Sequence, residues 1–255
     1  MEGCRMNVSE SKFSFYNPPV DRVNYVKEAN LYGIYRYIVE PKYAKQQTDT
    51  LRTLGGTNAT PLSCVGESGG LGRFNCSEGA SLRDQRTERE NARKRYKATH
   101  FAYCLFSGTF ARNRRNDGLM QHSGLICIDF DHVNPDELLP TLLSDPYFET
   151  LLSFRSPSGD GRKWVISIDL QKATHEQWYT AISNYLRATY CLQADPACKN
   201  VARACFLPHD PDCYIAPRLH RDLEPTINEN PAIAELMRSI GATNICITPK
   251  NDENV

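Results

Sequence analysis

Between residues 123 and 207 the sequence alternates strand-like and helix-like signals in an order that leaves few folds open. GLICIDFD reads as a buried strand, Pro135 to Leu143 as a helix capped by Asn134 with proline at its first position, and FETLLSFR as a second strand. After a turn, KWVISID makes a third strand. THEQWYTAISNYLRATY is a helix capped by Thr174, with Trp178, Ile182, Tyr185 and Leu186 at core spacing, and VARACFL is a fourth strand. This order predicts an α+β fold built on an RRM-like or ferredoxin-like βαββαβ sheet. With right-handed crossovers, strands one and two are parallel with strand three between them, and strand four lies on the other side of strand one. The C-terminal end of strand one then adjoins the N-terminal ends of strands three and four, so side chains at those three places converge.

The flanks are less regular. Residues 1–98 form an N-terminal α/β segment: the strand-like KFSFYN, closed by Pro18 and Pro19, an amphipathic helix around LYGIYRYIVE, and a charged helix over about 82–97. Between these helices, residues 55–81 are rich in Gly and Ser without periodicity, which predicts a long mobile loop. FAYCLF opens the second domain, taken as 99–220, as a further strand. Residues 221–255 hold a short helix, AIAELMRSI, and a tail.

The apolar fraction of 40% over 255 residues is enough for a core without staples. No apolar run approaches the roughly 20 residues that cross a bilayer, and the opening MEGCRMNVSESK lacks a signal-peptide stretch. These features predict a cytoplasmic protein with no membrane partner. Ten scattered cysteines include no Cys-x-x-Cys pair, so reduced thiols are expected; the seven, seven, eight spacing of Cys191, Cys198, Cys205 and Cys213 crosses a helix end and strands and does not make a zinc site. Net charge is zero, so contact with a polyanion must come from local patches. One patch is Arg83 to Lys97, equally readable as a solvated helix; the other, Arg112, Arg114 and Arg115, sits beside the chemical motifs and is the better nucleic-acid candidate.

Asp129 and Asp131 stand two apart at the end of strand one, so their carboxylates share a face and repel each other unless a cation lies between them. Hard oxygen ligands suit Mg²⁺ or Mn²⁺. Before strand three, Ser156-Pro-Ser158-Gly159-Asp-Gly161-Arg162-Lys163 is a small-residue turn ending in two cations, able to bring backbone N–H groups against a phosphate. Taken alone it is also an ordinary hairpin turn. Ahead of strand four stand Asp195, Lys199 and Arg203. The predicted topology gathers all of these at one end of the sheet around a shared pair of divalent ions. His122 and His132 are read as surface or packing residues, Trp164 and Trp178 as core, and Phe106 and Phe110 as packing.

Four segments in order, FSGTF (106–110), HSGLICIDFDH (122–132), RSPSGDGRKW (155–164) and DPACKNVARACFLPHDPDCY (195–214), resemble the VirE N-terminal domain family of the archaeo-eukaryotic primase superfamily. The resemblance implies a primase-polymerase palm in which Asp129, Asp131 and Asp195 are the catalytic, metal-binding carboxylates. It places Lys163 where many such primases have a histidine that contacts the nucleotide phosphates. Arg203, Phe206 and His209 resemble an Arg-x-Pro-Phe-x-x-His segment, with Cys205 replacing the proline. The implied nucleotide-binding set is Ser158, Gly159, Gly161, Arg162, Lys163, Lys199, Arg203 and His209.

The function expected from these readings is template-directed nucleotidyl transfer, a DNA primase or polymerase activity in replication or repair, including that of a mobile element. Its partners would be a single-stranded DNA template and a dNTP or NTP. No Gly-x-x-x-x-Gly-Lys-Ser/Thr occurs, so unwinding would come from a separate helicase. One alternative is a nucleotide or single-stranded nucleic-acid binding module that has lost the reaction, because lysine is a poorer proton shuttle than histidine near neutral pH. Another is a phosphohydrolase, since LICIDFD with Val133 also resembles the nucleophile strand of haloacid-dehalogenase enzymes, which need a parallel sheet.

Overall fold

The computed structural model describes residues 8, 11–20, 27–54, 82–111 and 114–221, with side chains omitted at 82–86 and 221. The mobile loop expected over 55–81, the terminal helix AIAELMRSI and Arg112 fall outside the described residues. The chain divides into two compact units, Met1–Ala216 and Pro217–Val255. In the second, the described part is one short helix, Pro217–Arg221.

The first unit is mixed α and β, with antiparallel sheets. Its elements are β1 (Phe13–Tyr16), β2 (Lys27–Ala29), α1 (Leu31–Val39), α2 (Pro41–Thr53), α3 (Leu82–His100), β3 (Tyr103–Leu105), β4 (Gly108–Phe110), β5 (Leu119–His122), β6 (Leu125–Asp131), α4 (Pro135–Leu143), β7 (Leu152–Arg155), β8 (Gly161–Ser167), α5 (His175–Tyr190), β9 (Cys205–Phe206) and β10 (Tyr214–Ile215). One sheet runs β10-β7-β8-β6, another β2-β1-β3-β9, and β4 pairs with β5.

β8 lies between β6 and β7 and is antiparallel to both, as the crossover argument predicts for strands one to three. β10, unforeseen because it is two residues long, extends that sheet beside β7. The fourth strand differs from expectation. β9 pairs with β3, in the sheet begun by β1, and forms no ladder with β6. Only Cys205 and Phe206 of VARACFL are extended, because the chain before them is held in turns by Asn200, whose side chain accepts from the Ala202 N–H at 2.9 Å. The parallel neighbours that a haloacid-dehalogenase strand needs are absent here: among the described residues β6 is paired with antiparallel β8.

Strand alternation sorts the side chains of β6 and β8. Ile126, Ile128 and Phe130 on β6, with Trp164 and Ile166 on β8, pack under Leu138 and Leu142 of α4 and Ile182 and Leu186 of α5. The helix starts are chemically set. The Asn134 side chain accepts from the Asp136 N–H, Pro135 sits in the first turn, and Thr174 and Gln177 make a reciprocal capping box on α5. The N-terminal segment is bound into the same unit. β1 pairs with β3, Ser14 Oγ accepts from the Phe110 N–H at 2.8 Å, and Thr48 Oγ1 on α2 accepts from the His209 N–H at 2.8 Å. No described helix is long and apolar enough to cross a membrane.

Candidate metal and nucleotide site

The face of β6 turned away from the helices carries Cys127, Asp129 and Asp131, because these are the odd positions of a strand whose even positions fill the core. Asp129 stands opposite Lys163 in the β6 ladder with β8, and Asp131 opposite Gly161. A Cβ at Gly161 would lie 2.3 Å from the Phe130 carbonyl oxygen, so glycine is what allows the turn to close on the strand end. Asp195 arrives from the other direction. Its N–H donates to the Asp129 carbonyl at 2.9 Å, and its Oδ1 accepts from the Ala197 N–H at 2.9 Å, capping a 3₁₀ turn over Pro196–Lys199. One carboxylate oxygen from each of Asp129, Asp131 and Asp195 lies within 4.8 Å of the others.

Two resident cations already touch this triad. The Lys163 ammonium donates to Asp129 Oδ2, and Arg203 NH2 donates to Asp195 Oδ2 at 2.8 Å. Asp129 and Lys163 are each 7% exposed. Burial works to lower the Lys163 pKa, but the Asp129 carboxylate, the Cys205 and Cys127 thiols and the hydrogen bond outweigh it, and the net shift is upward. Asp131 is raised by burial and by the Asp129 charge, which together exceed the opposing pull of Lys163. Asp129 Oδ1 is buried and has no hydrogen-bond partner. A buried carboxylate oxygen without a donor is costly, and its neighbours here are further carboxylates, so the donor set fits a hard divalent cation such as Mg²⁺ or Mn²⁺.

Asp129 and Asp131 open into a cleft of about 1170 Å³. Ser158, Lys163, Lys199 and Arg203 line it, as do Arg114 and Arg115. Gly159 has φ +85°, the left-handed region that glycine takes without strain, and its open side faces the Arg52 side chain. Four residues of the predicted nucleotide-binding set do not line the cleft: Gly159, Gly161, Arg162 and His209. Arg162 follows the alternation of β8 to the helix side, where it is 1% exposed and its Nε donates to the Pro135 carbonyl at 2.6 Å. His209 is turned toward α1 and α2, its Nδ1 3.0 Å from the Ile38 carbonyl oxygen.

The cleft also takes residues of the Arg83 to Lys97 patch, which the sequence leaves equally readable as a solvated helix. Lys94 and Lys97 on α3 line it, and Ser156 Oγ is buried at its edge without a hydrogen-bond partner. Burial, together with Lys163 and Arg93, lowers the Lys97 pKa. The signal was the spacing of Arg93, Lys94 and Lys97, which puts three cations on adjoining rows of one helix face. Trp164, Phe106 and Phe110 are buried, in keeping with their reading as packing residues.

The described cysteines are all free thiols. His122 is partly buried in a fixed relay. Its Nδ1 accepts from the Gly124 N–H at 3.0 Å, so its Nε2 carries the proton and donates to His175 Nδ1 at 3.1 Å. His175 Nε2 in turn donates to the Cys198 carbonyl at 3.2 Å, pinning the 3₁₀ turn that carries Asp195.

Comparison with known families corrects the resemblance drawn from the motifs. Residues 95–215 match the family model described as BT4734-like, N-terminal domain, which is a different family from the VirE N-terminal domain and gives no support for membership of the primase superfamily. No curated protein and no solved structure matches the chain. The segment from the C-terminal end of α3 to β10, which holds all three aspartates, is thus similar to the BT4734-like N-terminal domain.

Proposed function

We propose that this chain is a metal-dependent nucleotidyl transferase that joins nucleotides to the end of a template-bound nucleic-acid strand. The observation that carries the reading is the convergence of Asp129, Asp131 and Asp195 within 4.8 Å, with a buried, donorless oxygen on Asp129. A divalent ion held there would activate the strand's hydroxyl for attack on the α-phosphate and neutralise charge on the pyrophosphate that leaves as the α–β phosphoanhydride bond breaks. Lys94, Lys97 and Lys199 on the cleft wall offer ammonium groups to the phosphates, and Arg114 and Arg115 offer guanidinium groups to a strand backbone. At about 1170 Å³ the cleft exceeds the roughly 300–1,000 Å³ of a typical small-ligand pocket, which supports a nucleotide and a strand end together. In this reading the sheet β10-β7-β8-β6, backed by α4 and α5, serves as the palm.

The test uses the full chain with Mn²⁺ or Mg²⁺, primed and unprimed single-stranded DNA, and labelled deoxy- and ribonucleoside triphosphates. Extended products that vanish in Asp131→Ala are expected; no product with either sugar overturns the reading. One observation favours a second reading, a binding module without the reaction: Lys163 and Arg203 already hold two of the three carboxylates. Tight single-stranded DNA binding that is indifferent to chelator, with no product, is the outcome that would select it.

A further inference from the structure

We propose that the triad takes one divalent ion rather than a pair, and that the Lys163 ammonium permanently fills the place a second ion would have. This rests on the nucleotidyl-transfer reading and specifies its metal count. Two ions about 3.5–4 Å apart would have to share the three carboxylates between them. Asp129 has lost Oδ2 to Lys163, which is held in place by its own burial. Both oxygens of Asp195 already accept hydrogen bonds, Oδ1 from the Ala197 N–H and Oδ2 from Arg203. What remains is Asp129 Oδ1, the carboxylate of Asp131 and the spare lone pairs of Asp195. That set supplies the one or two carboxylate ligands a single Mg²⁺ or Mn²⁺ uses, with water and phosphate completing its octahedron. A dication on the Oδ2 side of Asp129 would sit against the Lys163 ammonium.

The experiment counts ions on the full-length chain by titrating Mn²⁺ and following it by electron paramagnetic resonance. Wild type is expected to bind one Mn²⁺ with the signal of an isolated ion, Lys163→Arg to bind one, and Lys163→Met to bind two with the exchange-coupled spectrum of a close pair. Two ions in wild type, or one in a folded Lys163→Met, overturns the inference and leaves nucleotidyl transfer standing. No Mn²⁺ bound to wild type removes the reading itself. Should Lys163→Met fail to fold, the wild-type and Lys163→Arg counts decide the matter.

Discussion

Asp129 and Asp131 are two residues apart and share a face, yet substitutions at them should behave differently. Asp129 is buried against Lys163, so Asp129→Asn leaves an ammonium in the interior without its counter-charge. Breaking one side of a buried pair costs about 3–5 kcal/mol. The expected outcome in chemical denaturation is a loss of that order, largely recovered in the double variant Asp129→Asn/Lys163→Met. Asp131 is the most accessible of the three acids, and partial desolvation and the Asp129 charge disfavour its ionised form. Asp131→Asn should therefore leave the unfolding midpoint unchanged or slightly raised while abolishing Mn²⁺ binding, which makes it the cleaner test of chemistry. Strand alternation made the pairing of Asp129 with Asp131 legible in the sequence. It also should have excluded Arg162, which sits one residue from Lys163 and must point the other way. The turn motif, read as a string of small and basic residues, hid that.

The elements whose termini carry chemical markers were the legible ones. α4 and α5 begin at Asn134 and Thr174 as their caps require, and β6 opens with four apolar residues, Leu125 to Ile128. α2 was missed because PKYAKQQTDTLRT is polar over most of its surface and buries Ala44, Thr48 and Leu51. Removing the α5 cap with Thr174→Ala should cost about 1 kcal/mol in thermal or chemical unfolding. The same helix start carries the histidine relay, which is built for neutral rings. Burial, reinforced by the neighbouring His175, pushes the His122 pKa down from 6.5 to about 4. The unfolded chain therefore binds a proton at His122 that the folded chain refuses across that window. Stability from this group is full above about pH 6.5 and is lost as pH falls toward 4. Denaturation midpoints measured between pH 7 and 4.5 should drop, and His122→Gln should flatten that part of the curve.

Across the whole molecule, zero net charge concealed a cleft that gathers Lys94, Lys97, Lys199, Arg114 and Arg115 around Asp129 and Asp131. Charge counted over a chain says nothing about how folding sorts it. The placement of β9 was also not readable, because Cys205 and Phe206 are too short a strand to declare a partner. That misplaced strand matters for how much of the chain is needed. The segment similar to the BT4734-like N-terminal domain begins at residue 95, but β3 within it pairs with β1, and the Asp210 N–H donates to the Ile38 carbonyl at 3.0 Å. A fragment of residues 95–216 should aggregate or give a collapsed amide spectrum, whereas residues 11–216 should unfold cooperatively. Asp129 and Asp131 come from one sheet, and Asp195 from the stretch leading into the other. Cys127 Sγ of the first lies 3.9 Å from Cys205 Sγ of the second. A cation seated among those three acids would tie the two sheets together and stabilise the folded chain in proportion to its free concentration. The supply of such ions would then govern how long each newly made copy outlasts the proteases around it.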